Sequence, residues 1–314
     1  GQPVKHLLRT CISLWKQAPL WRLSFMIGLG GLVMAAFFPT PWLKKQAPWL
    51  PGMAPAATHA PHDSAHADGG PGDADNAPSG PMPVHLQYPS MSEIVRDRVI
   101  LGGHTIPLPK GEWHPILSAQ ISNESPLSFL ALVRTHQGAI TGLIIAQATQ
   151  QPIALDRAGN VTGICHDDRN FLNHSLPVSP AGEDCIGSGT VVIQGNDVST
   201  NPLINQSIAR LQALGVTPIP PLFLAVQWRH VATTTDGQAQ VGLVDTLIPP
   251  LDQQTHQLLA PIPVWSRDAL SPYPEARTFL TRMRSWALEW QKALQLGFGN
   301  QLQGHTPPPD PLIP

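Results

Sequence analysis

Apolar and polar positions follow three rhythms along this chain, and each predicts a different kind of element. In residues 23–38 (LSFMIGLGGLVMAAFF) no charge interrupts the apolar run. Trp21 and Trp42 stand at its two ends, roughly 31 Å apart at ~1.5 Å per helical residue, close to the thickness of a bilayer core. With Trp15 and Trp49 further out, four of the nine tryptophans surround this stretch, as an aromatic belt places them. A transmembrane helix is predicted here, with Trp21 and Trp42 at the membrane interfaces. A cleaved leader ending near Val33-Met34-Ala35 competes with this reading. The long segment before the run, and its ending in Phe37-Phe38-Pro39, favour a retained anchor.

From Glu93 onward the apolar period shortens to two, the signature of strands. Strands are expected over 98–101 and 104–106, joined at Gly102-Gly103, then over 113–121, and over 129–135 and 139–148, joined at Gln137-Gly138. The last of these, AITGLIIAQA, is apolar on both alternations, as a central strand would be. These pieces suggest an antiparallel meander. A short strand follows over 190–194, and a hairpin over 222–231 and 240–247 turns at Asp236-Gly237.

The third rhythm is helical. Asn201 is a suitable N-cap, with Pro202 at the first helical position and Gly215 just past the end. Leu203, Ile204, Ile208, Leu211 and Leu214 then share one face. Near the C-terminus, Ser271 and Pro272 mark a second start and Gly297 an end. Ala276, Phe279, Leu280, Met283, Trp286, Ala287, Trp290 and Leu294 trace one apolar face, which is expected to cover the sheet.

Between these regions the pattern vanishes. Residues 48–89 are mostly Pro, Ala, Gly, Asp and His, too poor in apolar side chains to offset the entropy of ordering. The sequence therefore divides into a cytoplasmic N-terminus and anchor (1–45), a linker (46–90), an extracytoplasmic α+β domain (91–300) and a Pro-rich tail (301–314). The domain is expected to be a mainly antiparallel β-sheet covered by a C-terminal helix.

Charge sets the orientation. Lys5, Arg9, Lys16 and Arg22 precede the apolar run, only Lys44 and Lys45 follow it closely, and no acidic residue appears before Asp63. The positive-inside rule then puts the N-terminus in the cytoplasm and the later domain across the inner membrane, in the periplasm. Net charge is −2 and no basic cluster lies beyond the membrane flank, which argues against nucleic acid as a partner. Ser24, Gly28, Gly31 and Ala35 fall on one stripe of the anchor, where a neighbouring helix backbone can approach closely.

Cys165 and Cys185 lie in the translocated part, where thiols oxidise, so a structural disulfide is expected. Closing that loop would stabilise the fold by ~3 kcal/mol. The Cys-x-x-Cys spacing of redox-active pairs is absent.

Three local phrases occur together: Ile106-Pro-Leu-Pro-Lys-Gly-Glu-Trp113, the loop ending in Asp184-Cys185, and Trp286 through Gly297-Phe298-Gly299. Over roughly residues 97 to 299 the chain resembles an uncharacterised group of secreted or membrane-anchored bacterial proteins with an LPxGxW opening. That resemblance implies no activity and assigns no residue a role.

Candidate chemistry is sparse. Cys165-His166-Asp167-Asp168, with His174 and Asp184, offers imidazole and carboxylate groups that could hold a divalent metal beside a general base. In that alternative His166, Asp167 and His174 carry a membrane-anchored, metal-dependent hydrolase. His59, His62 and His66 in the linker are a weaker metal-ligand set. Ser188, in Gly187-Ser188-Gly189, lacks the Gly-x-Ser-x-Gly elbow. No P-loop, dinucleotide fingerprint or haem-attachment motif is present, and no cofactor is expected. The sequence thus predicts a non-enzymatic, single-pass accessory or scaffold subunit. Its partners would be the lipid bilayer and a membrane protein complex, met through the anchor and the outer domain.

Overall fold

The computed structural model describes residues 84–122, 125–178, 180–195, 198–266, 268–304 and 310–311. The predicted anchor, with Trp21, Trp42 and the stripe Ser24, Gly28, Gly31 and Ala35, lies outside the described residues. So do His59, His62 and His66. Among the described residues no helix is long and apolar enough to cross a membrane.

A nine-stranded antiparallel sheet forms the centre of the domain. Its strands are β1 (Val84–Gln87), β4 (His114–Ile121), β5 (Leu127–His136), β6 (Ala139–Thr149), β11 (Gln238–Ile248), β10 (Leu222–Thr233), β9 (Ala181–Val192) and β8 (Leu172–Pro177), in that spatial order. The short β7 (Ile153–Ala154) pairs with β11 beside them. The predicted hairpins form where the turn residues demand. Gln137 and Gly138 both have positive φ (51° and 81°), the conformation that a tight two-residue turn between β5 and β6 requires.

Three boundaries differ from expectation, each for a physical reason. β1 falls inside the stretch assigned to the linker; it adds an edge strand through Val84↔Ile121 to Gln87↔Ser118, because backbone pairing needs little apolar side-chain content. β2 (Arg98–Leu101) and β3 (His104–Pro107) form a separate two-stranded ribbon rather than part of a meander. Their Leu101 and Ile106 are buried in the cluster beneath the C-terminal helix, which draws the ribbon away from the main sheet. The strand expected over 190–194 is only the end of the twelve-residue β9, whose Gly- and Ser-rich middle hides its period.

Both faces of the sheet are covered. Even-numbered positions such as Ile144, Leu224, Val226 and Trp228 pack with α2 (Pro274–Phe298) and the β2–β3 ribbon. Odd-numbered neighbours, Leu143, Ile145, Phe223 and Ala225, pack with Leu203, Ile208 and Leu211 of α1 (Pro202–Ala213). Strands apolar on both alternations need a cover on each side, and the two helices supply one apiece. The Asn201 side chain accepts from Leu203 N at 3.0 Å, so the α1 cap forms as the sequence predicts. Gly297, expected to end α2, instead lies inside its last turn. A Cβ there would sit 2.6 Å from Thr105 O and 2.7 Å from Pro107, so this glycine permits close approach to β3.

Candidate functional site

Parity along β9 decides which candidate residues meet. Cys185 points to the α1 face, where a 3-10 turn (Val161–His166) packs; Cys165 and Cys185 are at disulfide distance, with Cα atoms 6.0 Å apart. On that face His166 Nε2 lies 2.7 Å from Glu183 Oε1, which also accepts from Ser175 Oγ at 2.7 Å. Burial opposes ionisation of Glu183, but bonds from Ser175, Thr162 and His166 outweigh it and hold the carboxyl below its ordinary range. Asp167 is bridged by Arg169, whose side-chain bonds and then its backbone N–H lower the carboxyl pKa to about 2.

His174 projects to the opposite face. Its Nδ1 lies 2.8 Å from Gln291 Oε1 of α2. The sheet thus stands between His166 and His174, and the three residues of the proposed hydrolase do not converge. Among the described residues, no three His, Cys, Asp or Glu side chains are grouped as a metal ion requires. Spacing along the chain could not reveal this, because β8 and β9 expose alternate residues to opposite sides.

The same parity brings Asp184 to the α2 face, where it becomes the hub of a buried network. The side chain has no solvent exposure. Its Oδ2 accepts from Trp228 Nε1 at 3.0 Å and lies 2.7 Å from His230 Nδ1; its Oδ1 accepts from Gln291 Nε2 at 2.9 Å. An ionised carboxylate oxygen only accepts, and opposite one Nδ1 of His230 is the donor. Beyond it the His230 ring packs against Phe298 (centroids 4.8 Å), which stacks on His104 at 3.8 Å. Gly242, opposite His230 on β11, makes room: a Cβ there would lie 2.6 Å from the Phe298 ring.

An Asp–His pair of this kind orients the base in acyl-transfer enzymes. Here the neighbouring serine is out of reach. Ser188 pairs with Val226 while Asp184 pairs with His230, four residues further along both strands. At ~3.3 Å per residue that separation is roughly 13 Å. What the hub does is tie α2 to β9 and β10, from the exposed His174 through Gln291 and Asp184 to His230. Trp228, His230 and Gln291 carry no motif in the sequence; only the pairing of β9 with β10 and the docking of α2 assemble them.

Compared with known proteins, the chain matches no family model, no curated protein and no solved structure. The functional reading therefore rests on the residues themselves.

A second polar centre lies on β5. The Arg134 side chain is 4 % exposed and meets Asp310 of the C-terminal tail, Nη1 to Oδ2 at 2.6 Å. A cleft of about 850 Å³ opens beside it, bordered by Arg134, His136, Thr141, Asp252 and His256. Asp252 itself is held by its loop: backbone N–H groups of Thr255 and Gln254 and the Thr255 hydroxyl lower its pKa.

Proposed function

We propose that this chain is a single-pass, membrane-anchored accessory subunit whose α+β domain binds a partner complex outside the cytoplasm. The observation that carries the reading is the Cys165–Cys185 pair at disulfide distance, within the domain that follows a basic-flanked apolar run. Disulfides persist where thiols oxidise, and the basic flank independently directs the domain to such a compartment. A binding role draws support from the use made of the interior polar groups. His230 and Gln291 both bond to Asp184, and the Gln291 bond holds α2 in place. The metal-dependent hydrolase on His166, Asp167 and His174 has no comparable support, because the sheet lies between His166 and His174.

The test joins topology to assembly. A reporter fused after Pro314 should be active only outside the cytoplasm, and cytoplasmic activity would overturn the architecture. The tagged full chain in mild detergent should co-purify a partner at fixed stoichiometry. Gly28→Leu with Gly31→Leu should still insert, since Leu is favourable in hydrocarbon, yet lose that partner. Leu29→Ala with Val33→Ala should retain it. A double-Leu variant that keeps its assembly unchanged would remove the anchor from the interface.

A further inference from the structure

The Leu108–Trp113 phrase builds a socket around Arg134. Pro109 O accepts Trp113 Nε1 at 2.8 Å, which fixes the indole, and the Arg134 guanidinium lies 4.8 Å from the centre of that ring. Lys110 O accepts Arg134 Nη1 at 2.9 Å, while Thr141 takes Nε on its hydroxyl and Nη2 on its carbonyl, both at 3.0 Å. Two glycines clear the space. A Cβ on Gly111 would lie 2.8 Å from Arg134 Cδ, and one on Gly142 would lie 2.7 Å from the Trp113 ring. The fork is therefore oriented by the body of the domain before any carboxylate arrives. Its counter-charge is delivered from 176 residues away, by Asp310, whose side chain is fully buried.

Room for a longer chain exists beside that contact. The 850 Å³ cleft borders Arg134, a second of about 670 Å³ borders Pro311, and the two share residues 251–254 as a common wall. A buried, oriented arginine on one cleft, with Pro311 on the adjoining cleft, has the form of a peptide-docking groove with one charged anchor point. A planar fork accepts a carboxylate with fixed geometry, and leaving it buried without one is costly, so any occupant must bring a carboxylate.

We propose that this groove is a receptor for an Asp-Pro segment, occupied in cis by the chain's own Asp310 and Pro311. The site deepens the binding role argued above and rests on it. It names the class of partner segment the outer domain would take: an acidic, proline-rich peptide that competes with the tail. The tethered tail has an effective concentration on the order of millimolar, so it excludes weak competitors and admits tight ones.

The experiment uses the full chain in detergent and a fluorescent peptide copying residues 306–314 (TPPPDPLIP). The peptide should leave the native chain unbound at micromolar concentration but bind Asp310→Ala saturably. Replacing the peptide's Asp by Ala, or adding Arg134→Gln to the chain, should weaken binding by about tenfold or more. Asp310→Asn, which keeps the side-chain shape, serves where Asp310→Ala does not fold. Equal binding of the Asp and Ala peptides would overturn the proposal. So would failure of both variants to fold, since Asp310 would then be a fixed strut rather than a displaceable ligand. A dimer of the native chain that dissociates on Asp310→Ala would put a second copy's tail in the groove and overturn the assignment in cis. Peptide binding lost with partner co-purification intact refutes the groove alone; the reverse refutes the accessory-subunit reading.

Discussion

Asp184 shows how much one buried carboxylate can organise. Three side chains converge on its two oxygens, and truncation would strip Trp228 and His230 of that partner in the interior and leave Gln291 Nε2 only the Asp184 carbonyl at 3.3 Å. Asp184→Ala should therefore cost about 3–5 kcal/mol in denaturant unfolding. Ser188 is the converse. Its Oγ is buried without a hydrogen-bond partner among the described residues, so Ser188→Ala should be neutral or slightly stabilising in the same measurement. A loss above about 1 kcal/mol would mean that the hydroxyl has a partner. Glu183 gives the pH dependence. Its carboxyl titrates below the ordinary 4.5 when folded, so its contribution is fully present above that pH and fades as pH falls through the folded value. Melting temperature followed from pH 7 to pH 3 should fall more steeply for the native chain than for Glu183→Gln.

At the level of elements, α2 is fixed by close approach as well as by apolar burial. Its 25 residues bury Phe279, Met283, Trp286, Trp290 and Phe298 over the sheet, and Trp290 Nε1 reaches Thr246 Oγ1 at 3.2 Å. Gly297 allows the last turn to touch β3, and Gly242 allows the Phe298 ring to pack close against β11. Gly297→Ala should improve helix propensity yet destabilise the domain by about 1–3 kcal/mol, because a methyl cannot enter against backbone and proline ring. Chemical denaturation would show it, and a stabilised variant would mean that the helix and ribbon do not pack this tightly.

For the whole molecule, the disulfide joins the 3-10 turn to the middle of β9 and closes a separation of 20 residues. Non-reducing peptide mapping should recover Cys165 linked to Cys185. Cys165→Ser should lower stability by ~3 kcal/mol if the unfolded chain gains the corresponding freedom. Two free thiols in protein isolated without reductant would remove the bridge, and with it the principal support for an oxidising location. The Arg134–Asp310 contact acts at this scale too, since it returns the end of the chain to β5.

What the sequence determined by itself is local. Gln137-Gly138 and Asp236-Gly237 specify turns through the φ values they tolerate, Asn201-Pro202 caps α1, and the 3.6-residue spacing from Ala276 to Leu294 identifies the buried face of α2. Each depends on neighbours a few residues away, so the linear pattern suffices. Tertiary structure decided which residues share a site. His166 and His174 are close in sequence yet separated by the sheet, because a strand turns alternate side chains to opposite faces. Asp184 meets His230 only through the β9–β10 register, and Arg134 meets Asp310 only because the chain folds back on itself. Long-range pairing depends on register and layer packing, and a side chain's immediate neighbours in sequence carry neither.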